Sequence, residues 1–170
     1  MTSNNRFYAS KLVCYLTLFF LSSVAWAEND NDDMAIKPIK TSPVWVYEMD
    51  GEFSDVKESL LLAIEDKGMV VSYNSHSGDM FKRTAKSTGA KEIIYSHAEA
   101  LYFCKAELSL SMTEEDPHSV MLCPYSIGIY SLVKNPGKIY LSIKPPITEL
   151  STYAAIHDLL VGIVIETINF

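Results

Sequence analysis

The N-terminus restricts the fold of this chain most, because it decides how much sequence is left to build a core. Arg6 and Lys11 are basic, and no acidic residue precedes Glu28. From Leu12 to Val24 runs a mostly apolar stretch that includes Leu16, Leu18, Phe19, Phe20 and Leu21. Ala25-Trp26-Ala27 then places small side chains at the two positions a signal peptidase pocket must accept. A basic start, a short apolar run and an A-x-A site make up the secretory pattern. The competing reading, an uncleaved anchor, asks for about 20 apolar residues, and this run is shorter. Cys14 follows Val13 rather than the small residue a lipoprotein site needs. Residues 1–27 are therefore expected to leave after Ala27, and the remainder to be periplasmic or secreted.

Cleavage leaves residues 28–170, or 143 residues, enough for one domain with a real core and too few for two. Arg6 and Lys11 are lost from the 14 basic residues, so 12 face 21 acidic ones and the net charge becomes −9. Such a surface repels phosphate backbones and excludes nucleic acid as a natural partner. The longest later apolar run, Leu159 to Ile165, is far too short to span a bilayer, so no stable membrane insertion is expected after processing. The partners left open are a small molecule, another protein, or a second copy of the chain in a homodimer.

Glu28 to Lys40 is polar and without periodicity, which predicts a flexible acidic leader over 28–42 and a folded domain over 43–170. Val44 to Met49 alternates like a strand until Asp50-Gly51 breaks it. Ser54 is placed to cap a helix with Val56, Leu60, Ala63 and Ile64 on one face, and Gly68 suits its left-handed end. Met69 to Tyr73 reads as a second strand, and Ser77 or Asp79 caps a short helix ending at Gly89. Further along, a strand around Leu101–Cys104 precedes a helix from Ala106 to about Thr113, stopped by Asp116-Pro117. Ile127–Val133 and Ile139–Ile143 are strands joined by Lys134-Asn135-Pro136-Gly137, a hairpin signal. A long C-terminal helix to Ile168 carries Tyr153, Ile156, Leu160, Ile163 and Thr167 on one face. Long helical crossovers are scarce, so the pattern predicts α+β with a mainly antiparallel sheet.

Phe103 to Tyr130 reads FCKAELSLSMTEEDPHSVMLCPYSIGIY. Phe103, Cys104, Ala106, Ser111, Met112, Asp116, Pro117, Cys123, Pro124, Tyr125, Ile127 and Tyr130 follow an FC-x-A, S-x-M, DP and CPY-x-I-x-x-Y order. Gly68-Met69-Val70-Val71 and Arg83-Thr84 fit upstream. In this the chain resembles a branch of the family known as domain of unknown function 302, over roughly 53–146. Lys105 and Leu110 depart from it, standing where a small polar residue and an arginine are expected. The resemblance implies a single compact α+β domain, with a curved antiparallel sheet and helices packed on one face. It implies no activity, and a fold alone supplies none.

Two cysteines survive processing, Cys104 and Cys123. An even count in an exported chain is first read as a disulfide. Met112, His118 and Met121 share the same window, and thiolate, thioether and imidazole together would suit copper or a haem iron. The spacing matches no zinc finger, CxxC pair or C-x-x-C-H haem site, so a metal- or haem-handling or redox accessory role is the alternative reading, and a free, reactive thiol pair is a third. His76, in Ser75-His76-Ser77-Gly78-Asp79, reads as a loop histidine beside a helix cap. These neighbours are too close in sequence to form a triad among themselves. His157, beside Asp158, is expected to face water, as is the Glu114-Glu115 pair at a helix end. Tyr95, Tyr102, Tyr125, Tyr130 and Tyr140 fall in or beside strands, where a tyrosine-rich concave sheet can form a small-molecule pocket. Asp116, His118 and Tyr125 are the polar groups expected at the rim of any pocket. No nucleophile–base pair or metal-ligand set can be named, so the sequence favours non-catalytic binding over an enzyme.

Overall fold

The computed structural model describes residues 36–90 and 92–170. The expected signal peptide and the first part of the leader lie outside these residues. Among the described residues five strands form one sheet: β1 (Trp45–Asp50), β2 (Tyr73–Ser75), β3 (Tyr95–Phe103), β4 (Tyr125–Leu132) and β5 (Lys138–Ile143). Their order is β1-β5-β4-β3-β2, and every neighbouring pair is antiparallel. Four helices accompany them: α1 (Phe53–Asp66), α2 (Ser77–Thr88), α3 (Ala106–Glu115) and α4 (Tyr153–Ile168). A 3₁₀ segment, Pro117–Leu122, links α3 to β4. The described residues thus form one α+β domain with an open antiparallel sheet and a long C-terminal helix.

Strand alternation builds the core. Along β4, Tyr125, Ile127, Ile129 and Ser131 are buried and alternate with less buried residues. Ile139, Leu141 and Ile143 of β5 and Leu101 and Phe103 of β3 join them on the same face. Against this face pack α1, through Val56, Leu60, Ala63 and Ile64, and α4, through Tyr153, Ile156, Leu160, Ile163 and Thr167. Both helical stripes are the ones the 3.6-residue period picks out. Met112 of α3 closes the end of the core.

Local chemistry explains several ends. Gly68 (φ +73°) follows α1 and Gly89 (φ +68°) ends α2, both in the left-handed region where glycine carries no Cβ penalty. Lys105, one of the two departures from the family pattern, donates from Nζ to the Lys67 carbonyl at 2.9 Å. It thereby satisfies a carbonyl at the negative end of α1.

The structure corrects several local expectations. The N-cap of α1 is Glu52, and Ser54 lies inside the helix with its hydroxyl on Asp55. Met69–Val71 makes no strand; β2 is only Tyr73–Ser75. The folded part begins before residue 43. Ile36 packs against the core, the Ile39 N–H donates to the Val46 carbonyl (2.7 Å), and Val46 N–H donates to Lys40 (2.8 Å). Residues 36–42 of the expected leader therefore fold back onto β1, satisfying edge-strand groups that would otherwise stand open.

Candidate functional site

The sheet face opposite α1 and α4 carries a groove of about 490 Å³. Its geometry follows from register. Ala100, Gly128, Ser142 and Val46 are paired in succession across β3, β4, β5 and β1. These side chains are small, so this row lies low. A Cβ on Gly128 would come within 2.6 Å of Ser142 Oγ, so the floor is closed where those two meet. The adjacent row is tall: Ala98 pairs with Tyr130, and Tyr130 with Tyr140.

A register shift between Tyr95 and His97 adds to the tall row. Without it, residues 95 and 97 would share a face, because strand side chains alternate. With it, His97 stacks on Phe53 of α1 (centroids 4.6 Å) while Tyr95 turns to the groove side. This is what a bulge does: it re-aims a side chain. The result is a run of rings, with Phe81–Tyr95 at 5.7 Å, Tyr95–Tyr130 at 5.7 Å and Tyr130–Tyr140 at 5.1 Å. Asn135 Nδ2, from the hairpin loop, donates to the Tyr140 hydroxyl at 2.9 Å. Burial, with Tyr95 and Tyr140 close by, raises the Tyr130 phenol above its ordinary value and keeps it a neutral donor.

Two elements wall the groove. On the β1 side stand Ile39, Lys40 and Val44 of the folded-back segment; on the β3 side stand Ser77 and Phe81 of α2. α2 is held close by Gly78, where a Cβ would lie 2.8 Å from the Ala98 backbone nitrogen, and by Lys82 Nζ on the Ser96 carbonyl (2.7 Å). Beyond Phe81 and Tyr95 lies a second cavity of about 260 Å³, lined by α2 and by Ile93 and Ile94.

A charged cluster sits at the other side of β3. Glu99 points toward α1, its side chain only 14% exposed. It accepts from Lys57 Nζ (2.6 Å) and Asn74 Nδ2 (2.5 Å), with His76 Nδ1 at 3.6 Å. Burial pushes its carboxyl upward, but the bonds from Lys57 and Asn74 outweigh that and hold it below the ordinary value. Ser77 Oγ is bonded to Ser75 Oγ at 3.0 Å. The cluster ties α1, the short β2 and the start of α2 together.

The structure distributes the expected site residues. Asp116 and His118 line an open depression of about 510 Å³ beside Ile147 and Leu150. Asp116 Oδ1 accepts from the His118 N–H at 2.9 Å, capping the 3₁₀ segment. Tyr125 is not with them. It is 2% exposed, packs edge-on against Phe103, and its hydroxyl is 2.6 Å from Ser109 Oγ. Cys104 and Cys123 lie at disulfide distance, with sulfurs 2.10 Å apart. Of the alternative copper or haem set, Met112 is fully buried in the core, Met121 is 82% exposed, and the two cysteines face each other. Among the described residues no group of three His, Cys, Asp or Glu is placed to hold a metal ion.

Two expected surface groups are in fact engaged. His157 is 6% exposed and meets Trp45 edge-on at 4.6 Å, and burial lowers its pKa against the opposing pull of Asp158. Glu115 reaches across to the start of α4, accepting from Ser151 N (2.9 Å) and Thr152 N (2.8 Å). The bonds from Thr152 and Ser151 lower its carboxyl to about 2. Tyrosine richness is the only sequence signal for the groove. Phe81, Lys40 and the low row offer none, because each is ordinary in its own neighbourhood.

No family model matches the chain, and no curated protein does. Among solved structures, the chain is similar to the crystal structure of an uncharacterised conserved DUF302 protein from Bacillus stearothermophilus. The match has a TM-score of 0.60 at 12% identity, over 73% of this chain and 97% of the other. The open five-stranded sheet with its C-terminal helix is accordingly a fold that this chain shares with that DUF302 structure.

Proposed function

We propose that this chain is an exported domain that binds a small, largely apolar molecule on the open face of its sheet, without transforming it. The observation that carries the reading is the row from Phe81 through Tyr95 and Tyr130 to Tyr140, standing beside a low floor in a groove of about 490 Å³. Ligand sites are concave, mostly apolar and furnished with a few polar groups, and a volume of this order suits a small molecule. Tyrosine rings supply contact area with little entropy to lose, and their hydroxyls supply directional donors. Export is supported by the basic N-terminus, the apolar run and Ala25-Trp26-Ala27, together with the cysteine pair at disulfide distance. No helix among the described residues is long and apolar enough to cross a membrane.

Binding is tested by titrating the neutral apolar dye Nile red against the protein and its Ser142→Phe variant. Ser142 lies in the low row, so a phenyl ring there fills the groove. Dye fluorescence that saturates with wild type and is lost with Ser142→Phe supports the reading. Equal binding by both proteins refutes it. N-terminal sequencing of protein from the producing cell is expected to begin at Glu28; an intact Met1 on the mature protein would overturn export.

A further inference from the structure

The binding reading can be carried to a ligand class, and this step rests on it. We infer that the groove takes a linear apolar chain bearing one anionic head, such as a long-chain carboxylate, with the head at Lys40 and the tail passing Tyr95 into the cavity beneath α2. The first support is continuity. The groove and the smaller cavity have Phe81 and Tyr95 in common, so they adjoin, and a tail that passes these two rings reaches the cavity. That path runs across β1, β5, β4 and β3, three strand spacings or about 14 Å, before it reaches α2. A compact ring would fill only part of it.

Charge runs along the path in one direction. Lys40 stands in the wall at the β1 end, and no carboxylate pairs with it among the described residues. Toward the far end the three charged residues of the lining are engaged elsewhere: Glu99 with Lys57 and Asn74, Lys82 on the Ser96 carbonyl, and Glu92 with Lys134 at 3.2 Å. What remains there is Ala85, Ile93, Ile94 and the rings, an apolar lining for a tail. The acidic surface elsewhere is screened beyond roughly 10 Å, whereas Lys40 is in the wall itself.

The experiment is competition against Nile red by hexanoate, dodecanoate, hexadecanoate, hexadecanol and hexadecyltrimethylammonium, each below its micelle concentration. Hexadecanoate should bind more tightly than dodecanoate, and dodecanoate more tightly than hexanoate. The alcohol and the cation should bind roughly tenfold more weakly than the acid of the same length. Lys40→Glu should abolish the preference for the acid over the alcohol. Ala85→Trp, or Ile94→Trp on the opposite wall, should abolish the advantage of hexadecanoate over dodecanoate, since the tail cavity is then filled. Equal binding of acid and alcohol, or a length preference that survives both tryptophans, overturns the proposal. So does capture by acidic phospholipid vesicles without any binding of the free acids. If Nile red binds and is displaced by planar aromatics but by no carboxylate, this inference falls while the groove reading stands. If Nile red does not bind the groove at all, both fall.

Discussion

Gly78 offers a test in which the same substitution should have opposite signs at two sites. It lies in the first turn of α2, and a Cβ there would stand 2.8 Å from Ala98 N and 3.3 Å from Ala98 O. Ordinary contact begins at 3.4 Å, so Gly78→Ala must drive α2 and β3 apart by about 0.6 Å. Both clashing atoms are backbone, so no rotamer change relieves them. Overpacking of this kind costs about 1–3 kcal/mol. The helix gains at most about 1 kcal/mol from alanine's better propensity, and less in a first turn. The clash wins by about 1–2 kcal/mol. At roughly 2.1 cal/mol/K of unfolding entropy per residue, a domain of this size should lose about 4–7 °C in Tm. Gly162, within α4, has open space where a Cβ would stand, with nothing within 4 Å, and no positive φ. Gly162→Ala should therefore stabilise by about 0.5–1 kcal/mol. Thermal unfolding by circular dichroism reads both variants, and hydrogen exchange should rise at β3 in Gly78→Ala alone. A Tm that rises in both proteins refutes the close approach of α2 to the sheet, and with it the wall of the groove.

Further predictions concern the two ends of the core. Replacing both Cys104 and Cys123 by alanine opens a loop with a sequence separation of 19 and should cost about 3 kcal/mol through unfolded-state entropy, or about 10 °C in Tm; full alkylation of both thiols in unreduced protein would show the bond to be absent. Glu115 has a folded pKa of about 2 against an ordinary 4.5, so its contribution is present above pH 4.5 and is lost as pH falls from there toward 2. Glu115→Gln should flatten the stability curve over that window, measured by urea unfolding at successive pH values; an unchanged slope would mean that the Ser151 and Thr152 contacts carry no stability. Tyr125→Phe removes the bond to Ser109 and should cost about 1 kcal/mol without altering Nile red affinity, whereas weakened binding at unchanged Tm would return Tyr125 to a ligand site.

Much of this fold is visible in the sequence because local rules act over a few residues. The buried stripes of α1 and α4, the Gly68 and Gly89 helix ends and the Lys134–Gly137 hairpin each depend on neighbours within about one or two turns. The Cys104–Cys123 pairing is legible for a similar reason: the even count suggests it, and adjoining antiparallel strands bring Phe103 opposite Tyr125. What tertiary structure alone decides is which face each residue occupies. Tyr95 reaches the groove only because a register shift turns it over, and register is set by the partner strand, about 37 residues away along the chain. His157 looks like a solvated neighbour of Asp158 until Trp45 packs on it, and Glu115 looks solvated until α4 begins within its reach. Tyr125 and Tyr130 are alike in sequence, yet they lie on opposite faces of β4, one bonded to Ser109 in the core and the other facing the groove. Propensity and turn chemistry belong to single segments, whereas a site belongs to segments brought together, and that convergence is paid for by burying the other face of the sheet.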